Sequence, residues 1–168
     1  FKNPRPVATM VLLPLVADIR GDATPEVVIN TSRVDGATRE LGEIVALDGA
    51  TGAELWRIVD DPAGDRHGSH GLATPAIGDL NGDGRPDIVY PGRRSQGQGP
   101  ALSQVHAVDG DGAPLWIGHA ANGSPVRIRW DHGAAAMVNL DADPEAEIAV
   151  GGVLFDNDGL MVWNQDGD

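Results

Sequence analysis

The residues best suited to chemistry lie in one short stretch, Asp79-Leu80-Asn81-Gly82-Asp83-Gly84-Arg85-Pro86-Asp87. Oxygen-bearing side chains stand at positions 1, 3, 5 and 9 of this loop, and Gly84 stands at position 6, where the backbone must turn sharply. Hard cations such as Ca²⁺ take roughly six to eight oxygen ligands, and a tight loop that turns several Asp and Asn oxygens inward supplies them. Ile88-Val89-Tyr90 follows, a β-branched and aromatic run, so the loop leads into a strand. An EF-hand needs a helix there and a Glu at position 12. That position is Tyr90, which excludes it.

The loop recurs. Sixty-one residues earlier stands Asp18-Ile19-Arg20-Gly21-Asp22-Ala23-Thr24-Pro25-Glu26, and sixty residues later Asn139-Leu140-Asp141-Ala142-Asp143-Pro144-Glu145-Ala146-Glu147. Each is followed by a β-type run, Val27-Val28-Ile29 or Ile148-Ala149-Val150. A second landmark has the same period. Asp48-Gly49 leads to Trp56, and Asp109-Gly110 leads to Trp116. Its third copy is read at Leu160-Met161-Val162-Trp163-Asn164, before Asp166-Gly167. A fixed period of this length signals a repeat architecture. Two hairpin landmarks per repeat predict four strands each, in the first repeat near 11–16, 27–30, 44–47 and 54–59. The metal-type loop joins strands one and two, and the Asp-Gly turn joins strands three and four. No segment carries a sustained helical period with caps, so no helix is expected. The fold expected is all-β: about three four-stranded antiparallel blades of a β-propeller, with repeats near 8–68, 69–129 and 130–168. The third repeat reads as incomplete, stopping where its fourth strand should begin. Three blades cannot close, so the segment is expected to belong to a larger propeller whose remaining blades come from the same or another chain.

These loops and their flanking strands resemble the FG-GAP/VCBS repeats, the calcium-binding blades of integrin α-type propellers. The resemblance implies Ca²⁺ held by the side chains at positions 1, 3, 5 and 9 and the carbonyl of position 7. In the second repeat these are Asp79, Asn81, Asp83, Asp87 and the carbonyl of Arg85; in the third, Asn139, Asp141, Asp143, Glu147 and the carbonyl of Glu145. The third departs from the pattern at neutral Asn139 and at Pro144. In the first they are Asp18, Asp22, Glu26 and the carbonyl of Thr24, with Arg20 at position 3. A cation there removes an oxygen and repels a metal, so that loop is expected to hold calcium weakly or not at all, with Arg20 bridging Asp18 and Asp22. The Asp48-to-Trp56 stretch is similar to the repeat of quinoprotein-type propellers, which implies that Trp56 and Trp116 pack between blades.

Composition limits the partners. With 12 basic against 25 acidic residues and a formal charge of -13, the chain is unsuited to nucleic acid or anionic membrane surfaces. It has no cysteine, hence neither disulfide framework nor catalytic thiol. No apolar run is long enough to insert into a membrane. Calcium modules of low affinity suit compartments where calcium is millimolar, which points to an extracellular, cell-surface or periplasmic location. No catalytic constellation emerges. His67-Gly68-Ser69-His70 reads as solvated loop polar groups ahead of a transition-metal site, His106 as a residue of a strand, and Arg93, Arg94, Arg127 and Arg129 as solvated charges ahead of contacts to an acidic sugar or a partner's carboxylates. The leading expectation is therefore non-catalytic: a calcium-stabilised propeller segment that recognises a protein or glycan in adhesion. The alternatives are a portion of a secreted polysaccharide-active enzyme, rhamnogalacturonan-lyase-like, and a quinone-dependent dehydrogenase fragment.

Overall fold

A computed structural model describes residues 13–35, 39–59, 68–69, 73–92, 103–128 and 134–165. Among these the structure is all-β, with no helix, and its twelve strands form three four-stranded antiparallel sheets. The first comprises β1 (Leu15–Ala17), β2 (Glu26–Asp35), β3 (Arg39–Asp48) and β4 (Glu54–Ile58). The second comprises β5 (Ala76–Gly78), β6 (Asp87–Pro91), β7 (Val105–Val108) and β8 (Pro114–Ile117). The third comprises β9 (Ala136–Val138), β10 (Glu147–Val150), β11 (Val153–Phe155) and β12 (Met161–Asn164). Within each sheet, strand order follows chain order, an up-and-down meander.

Alternation along the strands divides the apolar residues between two cores. In β6, Ile88 and Tyr90 face the first sheet, in a cluster with Val28, Ile44, Ala46 and Ile58. Val89, on the opposite face, joins Ala107, Ile148, Val150 and Phe155 of the second and third sheets. The middle sheet is thus covered on both sides, and every residue of β6 and β7 is buried. The first strands lie side by side, β1 beside β5 and β5 beside β9.

Each pair of neighbouring sheets is joined at the same place. Trp56 of β4 donates its Nε1–H to the Gly110 carbonyl in the β7–β8 turn, at 2.9 Å. Trp116 of β8 does the same to the Asn157 carbonyl in the β11–β12 turn, at 2.7 Å. The indoles lie on glycines. A Cβ on Gly112 would come within 2.9 Å of Trp56, and one on Gly159 within 2.7 Å of Trp116. The expectation that both tryptophans pack between repeats holds for the sheets described.

The third repeat departs from expectation. Leu160 to Asn164, read as its third strand, contributes the fourth strand, β12, and the preceding turn is Asp156-Asn157-Asp158-Gly159. The third strand is β11, reached from β10 through Gly151 and Gly152, both at positive φ (58° and 78°). The third sheet therefore has all four strands. β2 and β3 are also longer than expected, pairing from Glu26↔Asp48 to Asp35↔Arg39.

Candidate metal centre

The three acidic loops are the β1–β2, β5–β6 and β9–β10 hairpin connections, so one construction positions all of them. Side-chain oxygens fold each loop by accepting its own backbone N–H groups. In the second loop Asp79 accepts from Gly82 and Gly84, both at 2.8 Å, Asn81 from Asp83 at 2.9 Å, and Asp83 from Arg85 at 2.8 Å. Gly82 and Gly84 stand at φ 75° and 82°, which lets the chain coil around Asp79. The third loop repeats the scheme at Asp141 and Asp143, which accept from Asp143 N–H and Glu145 N–H.

Position 9 is the common anchor. Glu26, Asp87 and Glu147 begin β2, β6 and β10, and each places one carboxylate oxygen on the N–H of position 2. The acceptances are Ile19 to Glu26 at 3.0 Å, Leu80 to Asp87 at 2.9 Å and Leu140 to Glu147 at 2.5 Å. All three residues are buried, at 0%, 1% and 4% exposure. The second oxygen of each, Glu26 Oε1, Asp87 Oδ1 and Glu147 Oε1, is buried without a hydrogen-bond partner. An ionised oxygen left so is costly, and a cation is what relieves it.

In the first loop that cation belongs to the chain. Arg20 Nε lies 3.2 Å from Glu26 Oε1, too poorly aligned for a hydrogen bond but a close ion pair, and its Nη2 lies 2.5 Å from Asp22 and 3.9 Å from Asp48. Asp18 was expected to share this guanidinium with Asp22. Instead it accepts the N–H groups of Asp22 and Ala23. The Thr24 N–H, followed by Arg20, holds the Asp22 carboxyl below its usual range.

In the other loops, among the described residues, no guanidinium stands against the position-9 carboxylate; Arg85 of the second loop pairs with Asp111 instead. Burial pushes the Asp87 carboxyl up, the Leu80 N–H opposes this, and Asp83, Asp79 and Asp109 push it further up. Asp143 is also raised, by lost hydration within its loop and then by Asp141. Among the described residues, the one group of three acidic, His or Cys side chains whose ligand atoms lie within 4.8 Å of one another is Asp141, Asp143 and Glu147. This arrangement could hold a metal ion. Sequence reasoning finds the fullest ligand set in the second loop, yet Asp79, Asp83 and Asp87 do not converge that closely. Both Asp79 oxygens are taken up by the Gly82 and Gly84 amides. Asn139, its counterpart, instead donates its amide to the carbonyls of Asp143 (2.5 Å) and Glu145 (3.1 Å). A donor thus engages the Glu145 carbonyl expected to serve a metal. The donor set in both loops, carboxylates and carbonyls with a buried unpartnered oxygen, fits a hard cation such as Ca²⁺.

Two polar links were not foreseen. The Arg85 side chain crosses to the first sheet, donating from Nη2 to the Ile19 carbonyl at 3.0 Å and pairing with Asp111 at 3.1 Å. Asn157 donates to the Leu80 carbonyl at 3.2 Å. The recurrence of the Asp-Gly turns at the loops' own period was the available signal. Of the other candidates, His106 is buried in β7 and stacks on Tyr90, with ring centroids 5.5 Å apart. Ser69 is buried and donates to Asn30 at 2.5 Å. Arg127 is exposed. His67, His70, Arg93, Arg94 and Arg129 lie outside the described residues.

No protein-family model and no curated protein matches the sequence. Among solved structures, the chain is similar to a Bacillus licheniformis rhamnogalacturonan lyase of type PL11, with a TM-score of 0.59 and 18% identity over 90% of this chain and 30% of that one. A V. cholerae biofilm matrix protein, Bap1, matches at a TM-score of 0.46 and 18% identity, over 94% of this chain and 31% of that one. The chain thus spans under a third of either structure. At this identity the likeness to the lyase concerns the fold alone.

Proposed function

We propose that the three sheets are blades of an FG-GAP/VCBS-type β-propeller, braced by structural Ca²⁺ in the second and third loops, in an extracellular protein that recognises a glycan or protein without transforming it. The observation that carries the calcium reading is the triplet of buried position-9 carboxylates. The first has an arginine against its second oxygen, and the other two have none. Asp87 and Glu147 would hold the ion together with Asn81, Asp83, Asp141, Asp143 and the Arg85 and Glu145 carbonyls. Asp79 and Asn139 would exchange part of their present hydrogen bonding for it. Bound calcium supplies positive charge and cross-links the two ends of each hairpin, which is a structural role. Arg20 does the same work in the first loop, so two sites per chain are expected.

Calorimetric titration of the calcium-stripped chain tests this. Two binding events are expected, reduced to one by Asp83→Ala, with a melting temperature that rises with calcium. No heat and no change in melting temperature would overturn it.

The lyase's fold favours a second reading, in which the chain is part of a secreted polysaccharide-active enzyme and its ligand is an acidic polysaccharide. Incubation with rhamnogalacturonan separates the two. Retention of polymer without new chain ends supports recognition, and depolymerisation supports the enzyme.

A further inference from the structure

Arg20 marks which carboxylates surround a positive charge at the first loop, and one of them lies outside the loop. Its guanidinium stands against Asp22 and Glu26, at positions 5 and 9, and 3.9 Å from Oδ2 of Asp48. Asp48 ends β3, in the other hairpin of the sheet, where the register sets it opposite Glu26. The β3–β4 turn rests directly on the loop: a Cβ on Gly49 would stand 2.0 Å from the Pro25 carbonyl.

The other two sheets repeat this placement. Ile88 pairs with Val108 and Ile148 with Phe155, so one step further along each ladder Asp87 comes opposite Asp109 and Glu147 opposite Asp156. The β3–β4 turn is one residue longer than the β7–β8 and β11–β12 turns, but each aspartate precedes its turn, and the ladder sets its place. All three aspartates are half-buried. In all three the turn takes up Oδ1. Asp48 accepts the Thr51 N–H at 2.8 Å, Asp109 those of Asp111 and Ala113 at 2.9 and 2.8 Å, and Asp156 that of Asn157 at 2.8 Å. Opposite Asp109 and Asp156 stand the buried carboxylates of Asp87 and Glu147, 1% and 4% exposed, each with one oxygen that has no hydrogen-bond partner. Burial first, then Asp83, Asp79 and Asp109, push the Asp87 carboxyl up, so Asp109 lies within its field. Carboxylates gathered in this way repel one another unless a cation joins them.

We propose that Asp109 and Asp156 are further acidic partners of the ions in the second and third loops, as Asp48 is of Arg20, so that a bound ion ties together the two hairpins of its sheet. The proposal rests on the calcium reading and adds to each site a residue from outside the loop. The side chain acts on the ion from beyond the loop ligands, a position from which a carboxylate contributes about 10–100-fold to metal affinity. The same turns hold Trp56 and Trp116 through the Gly110 and Asn157 carbonyls, so the ion also steadies the contact with the preceding sheet.

Calorimetric titration of the calcium-stripped chain with CaCl₂ tests the proposal. Asn at either position keeps an oxygen for the turn and removes the charge. Asp109→Asn should weaken one of the two sites about tenfold, and Asp156→Asn the other. Asp158→Asn removes an exposed charge from the same turn as Asp156 and keeps an oxygen for the Leu160 N–H. It should change neither site by more than about twofold, because an exposed charge is screened. In EDTA neither Asp109→Asn nor Asp156→Asn should lower the melting temperature, as loss of a turn cap would. Unchanged affinity at both sites in these two variants overturns the proposal. So does an equal loss in Asp158→Asn, or a melting temperature lowered equally with and without calcium. A wild-type chain that takes up no calcium overturns the calcium reading and this proposal with it.

Discussion

Replacing Asp87 with Asn separates a capping carboxylate from one that awaits a cation. Asp87 is 1% exposed; its Oδ2 accepts the Leu80 N–H at 2.9 Å and its Oδ1 has no partner. Asn keeps an oxygen for Leu80 and removes the charge. A buried, unsatisfied ionised oxygen costs about 1–3 kcal/mol or more, and Asp83, Asp79 and Asp109 add repulsion. In EDTA, Asp87→Asn should therefore match wild type or exceed it by about 1 kcal/mol, equivalent to roughly 2–4 °C in a domain of this size. In calcium at about ten times its dissociation constant, each site adds about 1.4 kcal/mol to the wild type. The variant should lose most of the share from its second loop, and the order of stabilities should invert. The sign with pH follows from the raised folded pKa of Asp87. In EDTA its contribution is fully present below the ordinary carboxylate pKa and is lost as pH rises through the folded value. The advantage of Asn should therefore grow over that same interval. Thermal melts followed by tryptophan fluorescence read this directly, because Trp56 and Trp116 lie at the sheet contacts. A variant destabilised equally with and without calcium would refute the reasoning and leave Asp87 a simple cap.

Arg20→Asn should lower the melting temperature in EDTA, because Glu26, Asp22 and Asp48 lose their shared cation, and should add one calcium to the calorimetric stoichiometry. Gly112→Ala places a methyl 2.9 Å from the Trp56 ring at φ 79°; urea denaturation should show a loss of about 1–3 kcal/mol. Ala23, at position 6 of the first loop, holds φ 67° without being glycine, and Ala23→Gly should raise stability by about 1 kcal/mol in the same assay. Calcium affinity, titrated at stepped pH, should fall with acidification sooner than for ordinary carboxylates, because protons compete at the raised Asp87 and Asp143.

The repeat, its four strands and both hairpin landmarks were legible because each rests on local chemistry: Asx-rich turns, β-branched runs and a tryptophan at a fixed offset. The third repeat was misjudged for an equally local reason. Gly151 and Gly152 join β10 to β11 directly, whereas the second repeat spends residues 92–104 on the same connection, so a template of constant length slid by one strand. Its turn was nevertheless visible, since Trp163 follows Asp156 by the same seven residues that separate Trp116 from Asp109. The partners of Arg20 were only half legible. Asp22 is two residues away, but Asp48 reaches the site through the register that sets Glu26 opposite Asp48, which spacing alone does not reveal. The cross-sheet reach of Arg85 depends on how one sheet lies on the next, which is further still from local pattern.

The backbone of the position-2 residue joins the loops to the intersheet contacts. Its N–H is held by the buried position-9 carboxylate of its own loop, and its carbonyl by the sheet that follows, Ile19 by Arg85 and Leu80 by Asn157. A charge placed beside that carboxylate therefore acts one residue away from the contact that stacks the sheets. In the first loop the charge is Arg20, permanent and independent of the medium. In the second and third, on the calcium reading, it comes from solution, so their share of intersheet cohesion follows calcium concentration. Chelation should accordingly loosen the second-to-third sheet contact more than the first-to-second, with Trp116 emission responding before Trp56.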